Sequence, residues 1–391
     1  MVVCWQRVGR MQWVAVLVLM GGGLSSQQAW SDETEGDGAE PRVFVDVLNE
    51  AQWSQLDHSI DRGLTYLSTQ QADDGSFETF RTGQPGVTSL CVMAFLSRGH
   101  VPDGGPYGRR ISRAIDYVLA QQREDGLLFS QHVEERFDKD NGFHTCIYNH
   151  AIAGLMLSEV YGMTDEKQQD KLRQAIEKAI DFSRKNQTLP KRRRDDLGGW
   201  RYAKPGVFST NDSDLSVTAW QVTFLRSARN AEFDVPTEMI GDAMDYVRSC
   251  FAVERGTFVY NSIKRKPSGG VVGGGVLSLS LGGEHNTEIA RRGGDWILAR
   301  RNRRYNGPGE QDMDRYHYAA YYTSQAMFQL GGKYWAGYYP VLMQTLTTHQ
   351  RPDGSWEPER IEDASFGSTY TTALAILALS PPYQLLPIYQ Y

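Results

Sequence analysis

From about residue 55 onward, apolar and small residues recur along a helical stripe, and the stripe itself recurs. Ile60, Gly63 and Tyr66 are followed by Ile111, Ala114 and Tyr117, by Ile176, Ala179 and Phe182, and by Ile240, Ala243 and Tyr246. Positions i, i+3 and i+6 share one face of a helix, so each set predicts an amphipathic helix with one buried side. Gln71, Gln122 and Gln187 stand five residues beyond the aromatic of their stripe, and Cys250 stands four beyond Tyr246. The pattern then breaks at a turn containing glycine and an aromatic. Two copies are clear, Gln71-Ala72-Asp73-Asp74-Gly75-Ser76-Phe77 and Gln350-Arg351-Pro352-Asp353-Gly354-Ser355-Trp356. Weaker copies are Gln122 with Gly126 and Leu128, Gly199-Trp200, and Gly256-Thr257-Phe258.

After every turn comes a second helical segment rich in small residues and hydroxyls: Thr88–Leu96, Cys146–Leu157, Ser216–Leu225, Val276–Leu281, Tyr318–Leu330 and Thr371–Leu379. The interval between Cys250 and Gln350 has room for two units, the intermediate one near Trp296. Six helix pairs result. Alternating β-branched runs bounded by hairpin dipeptides do not recur, which predicts an all-α chain with no sheet beyond isolated bridges. One helix pair cannot bury its apolar face alone, so the pairs must stack, as an open solenoid or a closed ring. The uniformly apolar second helices suit an inner ring covered by the first helices, giving an (α/α)6 toroid over residues 55–391.

The turns at Gln71–Phe77 and Gln350–Trp356 resemble the QxxxGxW repeats of squalene and hopene cyclases, whose α/α toroid is shared with protein prenyltransferase β-subunits. The resemblance covers roughly residues 55–385 and implies a structural turn, with the glutamine capping helix ends and the aromatic stacking between layers. Squalene cyclases place their cavity between two α-domains, whereas this chain has residues for one. Asp212-Ser213-Asp214-Leu215, opening the third inner helix, is similar to part of the DxDD acid motif of class II terpenoid cyclases. Asp214 aligns with the aspartate that delivers the proton, Asp212 is retained, and Leu215 stands where a supporting carboxylate is expected. The resemblance therefore implies a hydrophobic isoprenoid-type ligand or lipid, with proton-initiated cyclisation or isomerisation as its chemistry. Asp214 is then expected to face the ring interior within reach of His150 or Tyr148, with its pKa raised by burial and by Asp212. The structural alternative is a helix cap, for which Asn211 or Asp212 is the preferred residue.

Cys146 and His150 lie four apart on one helical face, with His144 just ahead, a spacing that suits zinc. The prenyltransferase Asp-x-Cys pair is absent, so no metal or other cofactor is expected. His150 is a candidate general base or a core histidine bonded locally. Tyr318, Tyr321, Tyr322 and Gln325 form a helical stripe, and Trp220 occupies a similar depth on the third inner helix; with Tyr148 these aromatics are candidates for ligand contact or for core packing. Gly307-Pro308-Gly309-Glu310-Gln311 resembles the GCGEQ thioester sequence, but Pro308 replaces the cysteine and leaves a turn. Lys191-Arg192-Arg193-Arg194 reads as a solvated loop or, alternatively, as a contact for anionic lipid headgroups and so a peripheral membrane contact.

The formal net charge of −6 argues against sequence-independent nucleic-acid binding, which needs a basic face. Arg7 and Arg10 precede the apolar run Trp13–Met20, and Ala29-Trp30-Ser31 supplies small residues for a peptidase, so residues 1–31 read as a signal peptide and the protein as exported, periplasmic or extracellular. Residues 32–54 read as an acidic linker and N-terminal extension. Cys91, Cys146 and Cys250 follow it, an odd number that allows one disulfide or three free thiols. Three classes remain open: a cyclase-like enzyme, a carbohydrate-active (α/α)6 enzyme, and a non-catalytic binding or scaffold module.

Overall fold

The computed structural model describes residues 4–7, 13–16, 47–130, 144–202, 211–264, 266–300, 304–307, 315–360 and 362–389. The chain divides into two units, Met1–Ala39 and Glu40–Tyr391. In the first, strand β1 (Cys4–Arg7) pairs antiparallel with β2 (Trp13–Val16), Cys4 opposite Val16.

The second unit holds twelve α-helices among its described residues. Six outer helices, α1 (Glu50–Thr69), α3 (Gly108–Ala120), α5 (Glu166–Gln187), α7 (Thr237–Ser249), α9 (Glu288–Ala299) and α11 (Gly332–Thr348), alternate with six inner ones. The inner helices are α2 (Gly86–Leu96), α4 (Cys146–Val160), α6 (Leu215–Asn230), α8 (Gly269–Leu281), α10 (Tyr316–Leu330) and α12 (Gly367–Leu379). Each inner helix packs on the next, and α12 packs back on α2, so the ring is closed and the fold is an all-α toroid of six helix pairs. Closure also joins α1 to α12. Gly63 lies there against Ile376 and Trp356, where a Cβ would come within 3.0 Å of the Ile376 side chain. Every residue of α2, α8 and, after its first two, α12 is buried, as an inner layer covered on its outside must be. The outer helices bury one stripe, such as Ile111, Ala114, Ile115 and Val118 of α3.

The turn motif holds neighbouring pairs together. Gln71 Nε2 donates to Gly75 O within its own turn and to Arg110 O on the next outer helix, at 3.0 and 2.9 Å. Gln122 repeats this with Gly126 and Ala175, and Gln187 with Gly198 and Met239. The glycine of the third turn is thus Gly198 rather than Gly199. Gly126 has φ +93°, and a Cβ there would lie 2.3 Å from Lys178 O, so the close approach of turn and helix requires glycine. The turn aromatics Phe77, Trp200 and Trp356 are buried, and each offers its backbone N–H to a threonine of the following inner helix, Thr88, Thr218 and Thr372.

Three expectations need correction. The first outer helix opens at Glu50, inside the stretch read as extension, because Asn49 and Gln52 form a reciprocal capping box. Beyond residue 31 sheet is not confined to isolated bridges: the fourth turn carries a two-residue ladder, β3 (Phe251–Ala252) with β4 (Thr257–Phe258). Gln71–Phe77 and Gln122–Leu128 make the same contact as single bridges. In the fourth turn Cys250 replaces the glutamine, and backbone pairing, with Val259 N donating to Cys250 O, closes the turn. The eighth helix begins at Gly269 rather than near Val276, since Ser268 caps a glycine-rich first turn packed tightly on Tyr318 and Tyr322. Cys91, Cys146 and Cys250 are buried thiols that form no disulfide. No described helix is long and apolar enough to cross a membrane.

Candidate functional site

Asp214 sits at the N-terminus of α6 and is its cap: Oδ1 accepts from Val217 N at 2.9 Å. The cap is therefore Asp214, not Asp212 or Asn211, because Asp214 N is bonded to Trp200 O and only the residues after it turn into the helix. The carboxyl is fully buried, and Oδ2 has no hydrogen-bond partner. Burial pushes its pKa up to about 6 against the lowering effect of Arg201, of the α6 N–H groups and of Tyr260. Below that pH the buried form is the neutral acid.

Around Asp214 the ends of several inner helices and turns converge. Arg201 and Tyr202 directly follow the turn aromatic Trp200, and Tyr260 follows Phe258 by two. Arg201 Nη1 lies 3.9 Å from Asp214 Oδ2, and its guanidinium carbon lies 4.8 Å from the Tyr202 ring centre and 5.8 Å from that of Tyr260. The Tyr202 and Tyr260 hydroxyls are 3.0 Å apart. Tyr148 and Tyr318 complete the wall, Ser216 and Tyr318 sharing a hydrogen bond of 2.5 Å. Burial and then the Asp214 charge hold the hydroxyls of Tyr148 and Tyr260 well above their ordinary range, so both rings are neutral donors. His144 stands edge-on to Tyr202 with ring centres 4.7 Å apart.

The remaining expected residues are placed differently. Asp212 turns away from Asp214 and takes a bidentate bond from Arg192, which lowers its pKa. It adds nothing to the raised pKa of Asp214. Lys191 donates to Gly199 O and Asp212 O, so two members of the basic run pin this loop internally instead of facing water together. Arg193 pairs with Asp195, and Arg194 is exposed. His150 does not reach Asp214: its Nδ1 accepts from Leu128 N at 3.2 Å and its Nε2 lies 3.0 Å from Ser183 Oγ, between the Phe182 and Phe224 rings. It occupies the place that a threonine takes in the first, third and sixth pairs. Burial drives its pKa down to about 3, leaving it neutral and structural. Among the described residues no three of His, Cys, Asp and Glu gather closely enough to hold a metal, so His144, Cys146 and His150 do not form one. Trp220 stacks on Tyr321 at 5.2 Å and meets Tyr322 edge-on, one helical turn deeper than Ser216 and Tyr318, and all three are buried. They floor the site, whereas Tyr148 and Tyr318 line it. Residues 308–311 of the thioester-like segment lie outside the described residues.

Sequence reasoning missed Arg201, Tyr202, Tyr260 and Glu359. A usable signal existed, because each of these residues stands within three positions after a turn aromatic, Trp200, Phe258 or Trp356. Glu359 is buried and caps α10, accepting from the N–H groups of Tyr316, His317 and Tyr318 at 2.9, 2.7 and 3.2 Å. Burial raises its pKa, but His317 and those N–H groups outweigh burial and hold the carboxylate ionised. Asp214 and Glu359 thus have opposite tendencies on either side of Tyr318. A separate cavity of about 400 Å³ lies by the first turn, among Glu78, Arg81, Gln84 and Tyr117.

No protein-family model matches the chain, and no curated protein matches it in sequence. Solved structures do. The type II terpene cyclase MstE from Scytonema matches with TM-score 0.55 and 15% identity, over 85% of this chain and 99% of its own. A glycosidase in complex with glucose matches with TM-score 0.57 and 11% identity, over 87% and 100%. A polysaccharide lyase gives 0.55 and 12%, over 85% and 98%. The likeness is one of fold. It agrees with the squalene-cyclase-like toroid expected from the repeats, and since the fold also carries glycosidase and lyase sites, activity has to be argued from residues.

Proposed function

We propose that this chain binds a hydrophobic, isoprenoid-type small molecule at the tyrosine-lined mouth of the toroid and that Asp214 delivers a proton to it. The observation that carries the reading is the Asp214 carboxyl, fully buried, with no hydrogen bond to Oδ2, Arg201 3.9 Å from it and a pKa pushed up to about 6. Such a group is a proton donor near neutral pH. The supporting carboxylates of a full acid motif are lacking: Leu215 replaces one, and Asp212 is committed to Arg192. Asp214 is therefore matched to a basic atom, such as an epoxide oxygen or an activated double bond, rather than to an isolated alkene. Protonation of an epoxide oxygen breaks one C–O bond and leaves a carbocation, which neutral tyrosine faces stabilise until loss of a proton ends the reaction.

The signal-like segment 1–31 makes the protein an exported one, periplasmic or extracellular. Exposed Leu189 and Leu197 flank Arg193 and Arg194 and supply a peripheral contact with the membrane from which such a ligand would come. The hydroxyls of Tyr202 and Tyr260 favour a second reading, a glycan at the same mouth. Incubating the purified protein with lipid extract and with an oligosaccharide panel, then identifying retained or converted molecules by mass spectrometry, separates the two. Retention of isoprenoid-type lipid supports the proposal, and retention of glycan alone overturns it.

A further inference from the structure

After α12 the chain runs back across the ring at the C-terminal ends of the inner helices, opposite the end that holds Asp214. Residues 381–389 pack there on α10, α12 and α6, reach Gly99 beyond α2 through Leu385, and meet α4 at Glu159. Leu386 and Ile388 are buried. One end of this tail is tied by its side chain: Tyr383 Oη donates to Asp57 at 2.6 Å, and the ring lies under Arg98 and edge-on to Trp53. The other end is bonded to a sealed carboxyl. Glu159 is 1% exposed, with Oε1 accepting from Ser227 Oγ and Oε2 from Ile388 N at 3.3 Å. Charged groups on the elements packed around it are Arg226 and Arg229 of α6, Arg98 beyond α2, held by Asp57 and Asp61, and Arg173 of α5, which lies over Tyr161. None of the four pairs with Glu159 among the described residues; burial raises its pKa to about 7, opposed only by Ser227 and Ile388.

We infer that residues 384–389 are a latch across the far end of the ring, and that the Glu159 carboxyl, sealed beneath Ile388, releases it as pH rises. A carboxylate buried without a cation is costly, and admitting water is its relief. Lifting the tail costs the burial of Leu386 and Ile388 and the Ile388 bond, far less than unfolding the ring. Tyr383 stays tied and serves as the fixed end. With the latch open, Glu159 meets water and titrates near its ordinary 4.5; with the latch shut it titrates near 7. The open form therefore binds fewer protons between these values, so opening grows as pH rises from 4.5 and levels off above 7. The latch works independently of what the mouth binds.

Hydrogen exchange of the full chain, wild type beside Glu159→Gln, tests this when read by mass spectrometry from pH 5 to pH 8 and corrected for intrinsic rates. In the wild type the amides of residues 384–389 should be protected at pH 5, yet at every pH at least about tenfold less than those of the wholly buried α8. Their protection should fall by about 50–100-fold from pH 5 to pH 8, most of it below pH 7. In Glu159→Gln it should stay level. Equal protection of the tail and α8 would mean that the tail opens only when the whole ring unfolds, and overturns the inference. So does a tail unprotected at pH 5, a tail whose protection is independent of pH in the wild type, or a fall that is as steep in Glu159→Gln. Circular dichroism melts establish that the variant is folded; if it is not, the wild-type outcomes decide alone.

Discussion

Gln350 closes the toroid onto Ser59: its Nε2 donates to Ser59 O at 2.8 Å while its Oε1 accepts from Ser59 Oγ at 2.9 Å, across 291 residues of sequence. The same glutamine-to-next-helix bond joins the first to the second pair, the second to the third and the third to the fourth, so the ring is shut by the link that builds it. Removing the side chain in Gln350→Ala leaves Ser59 O and Gly354 O without this donor. A loss of about 1–3 kcal/mol is expected in urea unfolding. A variant as stable as the parent would show that closure rests on packing alone.

Trp356 is fully buried and its Nε1 donates to Leu346 O at 2.8 Å. Trp356→Ala should cost roughly 3–5 kcal/mol through the cavity it leaves. Ligand retention should survive at temperatures where the variant remains folded, because Trp356 does not line the Asp214 site. An unchanged melting temperature would contradict the burial of this turn.

His150 has a folded pKa of about 3 against an ordinary value of 6.5, so the unfolded chain binds the extra proton. Its contribution to stability is complete above pH 6.5 and is lost as pH falls toward 3. Relative to His150→Gln, the parent should lose about 2 kcal/mol between pH 7 and pH 5. Parallel stability curves for the two proteins would mean that His150 titrates normally, as the general base first considered would.

Glu159 behaves in the opposite sense. It is buried on α4, accepting from Ser227 Oγ and from Ile388 N of the C-terminal tail, and burial raises its pKa to about 7. The folded state then holds a proton that the unfolded chain releases near 4.5, so stability falls as pH rises from 4.5 through 7. Glu159→Gln should remove that slope and leave the variant more stable than the parent at pH 8, read by guanidinium unfolding at pH 5 and pH 8. A parent that gains stability over this range relative to the variant would contradict a protonated Glu159.

The repeats were legible because helix stripes and the Gln, Gly and aromatic positions are local, and local spacing dictates which face is buried. The ring followed from them, and closure needed only that the sixth pair carry the same Gln350 as the first. The site was less legible. Asn211, Asp212 and Asp214 are equivalent caps in sequence, and the choice among them depends on Arg192 reaching back across the loop to hold Asp212. His150 looked catalytic because its partner, the N–H of Leu128, belongs to a turn whose aromatic has been replaced. Arg201 carries no motif at all. Its significance comes from Asp214, Tyr202 and Tyr260 converging on it in space.

Asp214 as proton source is tested by incubating the protein with lipid extract in D2O, wild type beside Asp214→Asn, and following products by mass spectrometry. Protonation of an activated double bond followed by loss of a proton yields an isomer carrying one carbon-bound deuterium, and protonation of an epoxide yields an isomeric alcohol whose deuteron exchanges with solvent; either product is expected from the wild type alone, with the asparagine variant retaining the substrate unconverted. No conversion by the wild type, or the same product at the same rate from Asp214→Asn, would contradict the account.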